Sequence, residues 1–364
     1  MKQVEIISSA LEKLSTNWKR QHLLIGFDGF VDEIIHIVDE RKNSQEYKRI
    51  PTIKDFAKRI ADAAGLSANI ELVPTQIKLG GNGPIMANAL IEQGYEVTYI
   101  GALGKEEIHP VFREFASSCK NVISLTDPAH TEALEFFDGK LLLGKVSSLV
   151  DVSWDSLSKL IPQEELKALL SSSSLIAFTD WTLLPEMNSI LKGFYQYIAE
   201  SPEKPGVFID LADPKKRTKD DIRGILRLIQ TMEENARVIF GMNTNESSII
   251  ASILSIDESD ITLRAAKIRE KLNISLVVIH PTNGAAVASK GEACWVDGPY
   301  TSKPMLTTGA GDNFNSGFCN GWLTGMTPAE CLAVGVCTSG YYVRNCYSPN
   351  RSELIQFMED WLAK

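Results

Sequence analysis

A succession of short apolar runs, each long enough for one strand and each halting at an acid, an amide or a glycine, constrains this chain more than any other feature. Residues 175–178 stop ahead of Asp180, 206–209 stop at Asp210, and 237–240 stop shortly before Asn243. Residues 21–27 end beside Asp28 and Gly29, and residues 275–280 supply a further run. Runs of this length, rich in β-branched and aromatic residues and bounded by turn formers, predict buried strands. Between them the apolar residues recur at helical spacing, as in Phe314, Phe318 and Trp322 at intervals of four. Strands alternating with helices imply right-handed crossovers and an α/β fold with a mostly parallel sheet covered on both faces. Ligands of such sheets collect beyond the carboxyl ends of the strands. Asp28, Asp32, Asp180, Asp210, Asn243 and Glu246 all follow predicted strands, so one rim should gather carboxylates and amides.

One stretch breaks the alternation. Residues 133–137 and 141–146 flank Asp138-Gly139, a dipeptide that favours a type I′ hairpin turn with positive φ. This antiparallel piece predicts a small β-rich lid, with lid segments at about 33–75 and 99–150. A helix is expected near 52–64, and another over 85–93, stopped by Gly94. No repeat, low-complexity tract or linker divides the chain, so residues 1–364 are expected to form a single domain.

The charge balance narrows the partners. With 37 basic and 46 acidic residues the net charge is −9, which repels nucleic acid and anionic membrane surfaces. No run is apolar enough to span a bilayer. The six cysteines form no CxxC pair and no zinc-finger spacing, so reduced thiols and a cytoplasmic setting are expected. A small anionic ligand remains compatible, because helix N-termini and bound cations act locally.

The sharpest local motif is Gly309-Ala310-Gly311-Asp312, placed where a helix begins. Glycines let the backbone approach a ligand closely, and the free N–H groups of a first turn attract anions. Phosphoryl transfer asks mainly for such positioning and for one carboxylate near the attacking hydroxyl. Asp312 fits that role, with the helix dipole favouring its ionised form, although a string of this kind is by itself more often a plain helix cap. Asn243 and Glu246, three apart on a first helical turn, can hold a hydrated cation or form an ordinary capping box. Asp28 and Asp32 can accept hydrogen bonds from neighbouring hydroxyls of a polyol, while Asp28 beside Gly29 can also be a turn residue. His280 and His36, lone histidines at or near strands, read as structural, and Trp181 as packing.

The stretch Thr307-Thr308-Gly309-Ala310-Gly311-Asp312-Asn313-Phe314-Asn315-Ser316-Gly317-Phe318 resembles the C-terminal signature of the PfkB, or ribokinase-like, carbohydrate kinases. Gly80-Gly81, a helix and then Gly94 are similar to that family's N-terminal signature, followed by a matching segment from Gly101 to Glu106. The resemblance implies a ribokinase-like fold with a lid, and transfer of a phosphoryl group from ATP, with Mg²⁺, to a small sugar. It implies Asp312 as general base and Gly309, Ala310 and Gly311 as the anion hole. Asn243 and Glu246 would help hold Mg²⁺ through water. Thr308 and Gly284 would lie by the nucleotide. Asp32, with Asp28 as an additional acid, and Gly80, Gly81 and Asn82 would face the sugar. A lid of this kind can also pair with the lid of a second subunit, giving a homodimer.

Some positions depart from the family pattern. Leu306 replaces an aspartate that helps hold a monovalent cation in several relatives, and Ile85 replaces an asparagine that Asn82 can substitute. Ile279 and Pro281 stand where Thr and Gly are typical. Two other functions therefore stay open at the level of sequence: a nucleoside kinase of the same fold, and a catalytically silent sugar or nucleotide sensor.

Overall fold

The protein is seen here as a computed structural model that describes residues 3–201 and 204–363. Its strands are β1 (His22–Phe27), β2 (Phe30–Arg41), β3 (Tyr47–Arg49), β4 (Leu72–Gly80), β5 (Glu96–Gly101), β6 (Asn121–Ser124) and β7 (Ala129–Glu135). They continue with β8 (Lys140–Lys145), β9 (Leu175–Phe178), β10 (Gly206–Asp210), β11 (Arg237–Met242), β12 (Leu276–Ile279), β13 (Gly284–Ser289) and β14 (Glu292–Asp297). The helices are α1 (Gln3–Thr16), α2 (Ile53–Asp62), α3 (Asn82–Glu92), α4 (Arg113–Ser118), α5 (Trp154–Leu160), α6 (Gln163–Ser172) and α7 (Met187–Ala199). Then come α8 (Lys219–Glu233), α9 (Thr244–Ile253), α10 (Ile261–Leu272), α11 (Ala310–Leu323), α12 (Pro328–Asn345) and α13 (Arg351–Leu362).

A nine-stranded sheet in the order β14-β13-β12-β11-β10-β9-β1-β5-β6 forms the body. Every pairing from β12 through to β6 is parallel, as the alternation of strands and helices demands. Strands β9, β10 and β12 are buried along their whole length, which explains why those runs are apolar without alternation: both faces are covered. Along β1, Leu24 points into one apolar layer with Phe178, Phe194 and Phe240, while Leu23 and Ile25 point into the opposite one with Phe208 and Phe318. Each of these phenylalanines, fully or almost fully buried, contributes about 1.5–3 kcal/mol by transfer from water.

The antiparallel edge hairpin β13–β14 was not legible in the sequence, because Gly284 and the alanines after it blur the strand signal. Strand β2 was also missed. Its Asp32, Glu33, Asp39 and Glu40 hide a strand that folds because Ile35 and Ile37 pack on Phe56 of α2, with Leu134 and Phe136 beside them.

The small sheet has the order β3-β2-β7-β8, with β4 also paired to β2. It is drawn from two stretches of chain, but from the second it takes only β7 and β8. Residues at the start of the expected 99–150 segment belong to the body instead, in β5 and β6. The hairpin between β7 and β8 forms around the expected dipeptide but not as a type I′ turn. Asp138 does not take a positive φ. The loop spans residues 136–139, Phe136 N–H donating to the Gly139 carbonyl at 2.9 Å, and the Asp138 carboxylate accepts from Ile53 N–H at 3.0 Å. That bond ties the loop to the start of α2 and outweighs the local turn preference.

No helix among the described residues is long and apolar enough to cross a membrane, and all six cysteines are free thiols.

Candidate active site

The strand order reverses at β1, which has β5 on one side and β9 on the other. Such a switch point opens a crevice beyond the carboxyl ends of the strands. Asp28 follows β1, Asp180 follows β9, and Asp210 closes β10, so the acids noted in the sequence do meet along this rim.

Asp28 is fully buried. Its Oδ2 accepts from the backbone N–H of Asn82 and its Oδ1 from that of Gly83, both at 2.8 Å. Burial pushes its carboxyl up to about 6, and the two amides hold it back from rising further. In this structure each oxygen is engaged by an amide of the first turn of α3, and the side chain is wholly enclosed. Asp28 is not a local turn residue, since its partners lie 54 and 55 positions along the chain. Asn82, placed by this contact, donates its side-chain Nδ2 to Asp312 Oδ1 at 3.0 Å.

Asp312 stands in the first turn of α11, whose N-cap is Gly309 at φ 89°, with no side chain capping the amides. A Cβ at Gly309 would lie 2.8 Å from the Tyr342 hydroxyl, so both the left-handed backbone and the close approach require glycine. The Ala310 N–H is taken by the Thr307 carbonyl at 3.1 Å and that of Asn313 by Gly309 at 3.0 Å. This leaves Gly311 and Asp312 between them with amides that no capping side chain covers. Of the expected anion hole, Ala310 is thus the member already engaged. Asp312 is buried, and burial, then the charges of Asp210 and Asp28, push its carboxyl well above the ordinary range. The helix dipole was expected to favour the ionised form; burial and the neighbouring acids act against it.

Asp32 sits in β2 of the lid, half-buried, opposite Lys78 of β4 and Thr131 of β7. Burial raises its carboxyl, while the Thr131 hydroxyl and the Lys78 charge oppose the rise. Gly80 makes room for it: a Cβ there would stand 2.3 Å from Asp32 Cγ. Unlike Asp28, Asp32 is only partly buried.

On the other flank of Asp312 a cavity of about 450 Å³ is lined by Asn243, Gly284, Gly311 and Phe314, with Tyr300 and Val336 among its further walls. Thr307, not the expected Thr308, faces it; the Thr308 carbonyl instead accepts the Tyr342 hydroxyl at 2.9 Å. Nothing local in the sequence marks Tyr342, Tyr300 or Val336 as site residues, since they come from distant loops and α12. His280 also lines this cavity, its ring packed against Phe314 with centroids 4.7 Å apart. Burial pushes it down to about 4, which favours the neutral ring, and its Nε2 is buried with no hydrogen-bond partner. Trp181 is packing too: its indole N–H donates to Asn188 and the Arg217 guanidinium stacks on it.

Asn243 and Glu246 form the full capping box of α9. Asn243 Oδ1 accepts the N–H groups of Asn245 and Glu246, and Glu246 accepts from the Asn243 N–H at 2.8 Å and side-chain amide at 2.6 Å. Burial and the charge of Asp210 push Glu246 up to about 9. Asp210 is held by Asn315 at 2.8 Å and by the Ala212 amide at 2.7 Å. Asp180 keeps one carboxylate oxygen, Oδ2, buried with no hydrogen-bond partner. Among the described residues none of these acids is ion-paired. A hard, all-oxygen acid cluster under mutual repulsion fits a divalent cation. Among the described residues no three of His, Cys, Asp and Glu are grouped so as to ligate one directly.

A parallel sheet with its ligand edge under a small β lid, and an uncapped glycine-rich helix start beside a buried aspartate, define a kinase of the ribokinase-like type. Ribokinase of Arabidopsis thaliana, complexed with ribose and ATP, shares the fold at TM-score 0.65 and 15% identity, over 94% of this chain and 99% of that one. So does phosphofructokinase-2 of Escherichia coli in complex with substrates and products, at TM-score 0.65 and 13% identity, over 95% and 100%. The model of the prokaryotic ketohexokinase family matches residues 2–361, and the chain belongs to that family, one of the PfkB carbohydrate kinases. Ketohexokinase of Haloferax volcanii is 27% identical over 365 residues, covering 99% of this chain and 96% of its own. Ribokinase of Haemophilus influenzae is 23% identical over 308 residues, 83% and 86% of the two chains. The chain is accordingly a sugar kinase, an enzyme that phosphorylates a sugar hydroxyl.

Proposed function

We propose that this enzyme phosphorylates a ketohexose on a primary hydroxyl, using ATP, with Asp312 as the general base. The observation that carries the reading is the position of Asp312, in the uncapped first turn of α11, held by the Asn82 amide and next to Gly311, which lines the cavity with Asn243. The sugar lies on the Asp32 side, where a half-buried carboxylate flanked by Lys78 and Thr131 suits a polyol better than an aromatic base. Phe314, Val336 and Val343 give the cavity apolar walls for a nucleotide base, and Gly311 and Asp312 offer amides to the transferring phosphoryl. Asp312 accepts the proton of the attacking hydroxyl, and the lid limits access of water. Mg²⁺ supplies charge screening for the phosphates when bound, and Asn243 and Glu246 are the residues that would hold it, through water.

The ketohexose assignment draws on the family match and on the Haloferax relative. Turnover of D-fructose, D-ribose and adenosine with Mg-ATP tests it: D-fructose is expected to exceed the other two by about tenfold or more in kcat/KM, some 1.4 kcal/mol. A preference for adenosine would turn the reading to a nucleoside kinase. Sugar-induced thermal stabilisation with no turnover of any acceptor would turn it to a silent sensor.

We also infer a homodimer joined through the lid. Strand β8 is one free edge of the small sheet among the described residues, and its Leu142 and Leu143 are exposed, which is costly for a lone subunit. Wild type should sediment as a dimer, and the Leu142→Lys/Leu143→Lys variant as a monomer; a monomeric wild type at micromolar concentration ends this reading.

A further inference from the structure

Asp28 poses a physical question that sugar binding does not answer. Removing a carboxylate wholly from water costs several kcal/mol, whereas a helix start can be capped by a neutral serine or asparagine near the surface. Asp28 nevertheless lies fully buried, reaching across from the end of β1 to take the first two N–H groups of α3. The N-cap of α3, Gly81, supplies no side-chain cap of its own, so Asp28 is the acceptor that terminates this helix. The Tyr99 hydroxyl, donating to the Asp28 carbonyl at 2.6 Å, anchors that backbone from β5.

The contact settles one thing that bears on chemistry. Asn82, the first residue of α3, has its N–H held by Asp28 while its side-chain amide donates to Asp312 Oδ1. One residue therefore joins the buried clamp to the carboxylate assigned as base. Because an amide Nδ2 can only donate, this bond orients Asp312 and engages Oδ1, which leaves Oδ2 as the oxygen for the acceptor hydroxyl. Glycine at 83 is part of the same arrangement, since a Cβ there would lie 2.6 Å from Asp28 Oδ1 and 2.5 Å from the Tyr99 hydroxyl.

We propose that Asp28 is a positioning residue for phosphoryl transfer: it clamps the start of α3 so that the Asn82 amide holds Asp312 in the orientation that receives the substrate proton. The proposal rests on Asp312 being the base. In this role Asp28 acts through Asn82, its own oxygens being engaged by the α3 amides.

A double-mutant cycle at saturating sugar and Mg-ATP, well below the melting temperature of every variant, tests it. Asn82→Ala is expected to lower kcat by about tenfold to 100-fold, the scale on which a small misplacement of a reacting group acts, with the KM for ATP unchanged. Asp28→Asn should lower kcat in the same way and add little when Asn82 is already alanine, because the effect runs through that residue. Independent, multiplying losses would overturn the clamp. So would a wild-type kcat in an Asp28→Asn enzyme that has merely lost thermal stability. If Asp28→Asn does not fold, Asn82→Ala alone decides: a kcat close to wild type sinks the proposal. Asp312→Asn measured alongside separates the two assignments, since a fully active Asp312→Asn enzyme removes the base itself, whereas an inactive one beside an active Asn82→Ala removes only the clamp.

Discussion

Replacing Asp312 with asparagine is expected to lower kcat by about 10²- to 10⁴-fold, the range a positioned general base contributes, while binding of sugar and nucleotide survives. The substitution keeps the shape of the side chain and removes its ability to take a proton. A loss smaller than about tenfold would show that another group is the base. The same residue predicts the pH dependence. Burial and the charges of Asp210 and Asp28 raise the Asp312 carboxyl, so the base-competent, deprotonated form is lost as pH falls through that raised value. The acid limb of kcat/KM in wild type should therefore lie above the ~4 of an unperturbed aspartate, and the residual rate of Asp312→Asn should show no such limb.

Asp32→Ala carries the second large effect, and its signature differs. A hydrogen bond to a charged group is worth about 1.5–3 kcal/mol, so kcat/KM for the sugar should fall by about tenfold to 150-fold, while the KM for ATP stays put. Asp32 belongs to the lid, in β2 opposite Lys78 of β4, and its loss is expected to leave the Gly309 turn and α11 as they are. An unchanged sugar KM would mean that the acceptor is held by other groups and that Asp32 merely balances Lys78. Set beside the clamp variants, this separates two aspartates only four positions apart: Asp32 should register in sugar recognition, Asp28 in turnover.

Neither contrast could have been drawn from spacing alone, where Asp28 and Asp32 look like a matched pair of acceptors. What decided between them was access. The β1–α3 approach encloses Asp28 completely, whereas Asp32 in β2 stays partly exposed, with the missing side chain of Gly80 leaving space for its carboxyl. Likewise Asn243 and Glu246 form their capping box in full, a local bond pattern that three-residue spacing predicts, yet their mutual position to Asp210 comes from the sheet.

Local pattern determined much of the rest. The parallel body was legible because a strand covered on both faces must be apolar throughout, and the punctuation of those runs by Asp28, Asp180 and Asp210 marked the rim. The helix start at Gly309 was legible because only glycine takes φ 89° freely there. Strand β2 was not, because the strands that flank it along most of its length, β4 and β7, and the Leu134 and Phe136 that pack with its Ile35 and Ile37, lie far along the chain. Tertiary structure alone decided that Asp28 would cap a helix 54 residues away, that Asn82 would meet Asp312 across 230 residues, and that the lid would take only β7 and β8 from its second stretch. Backbone propensity and hydrophobic period act over a few residues and so can be read along the chain. Which carboxylate is buried, and against which amide, depends on how crossovers bring distant strand ends together, and that is settled only when the core closes.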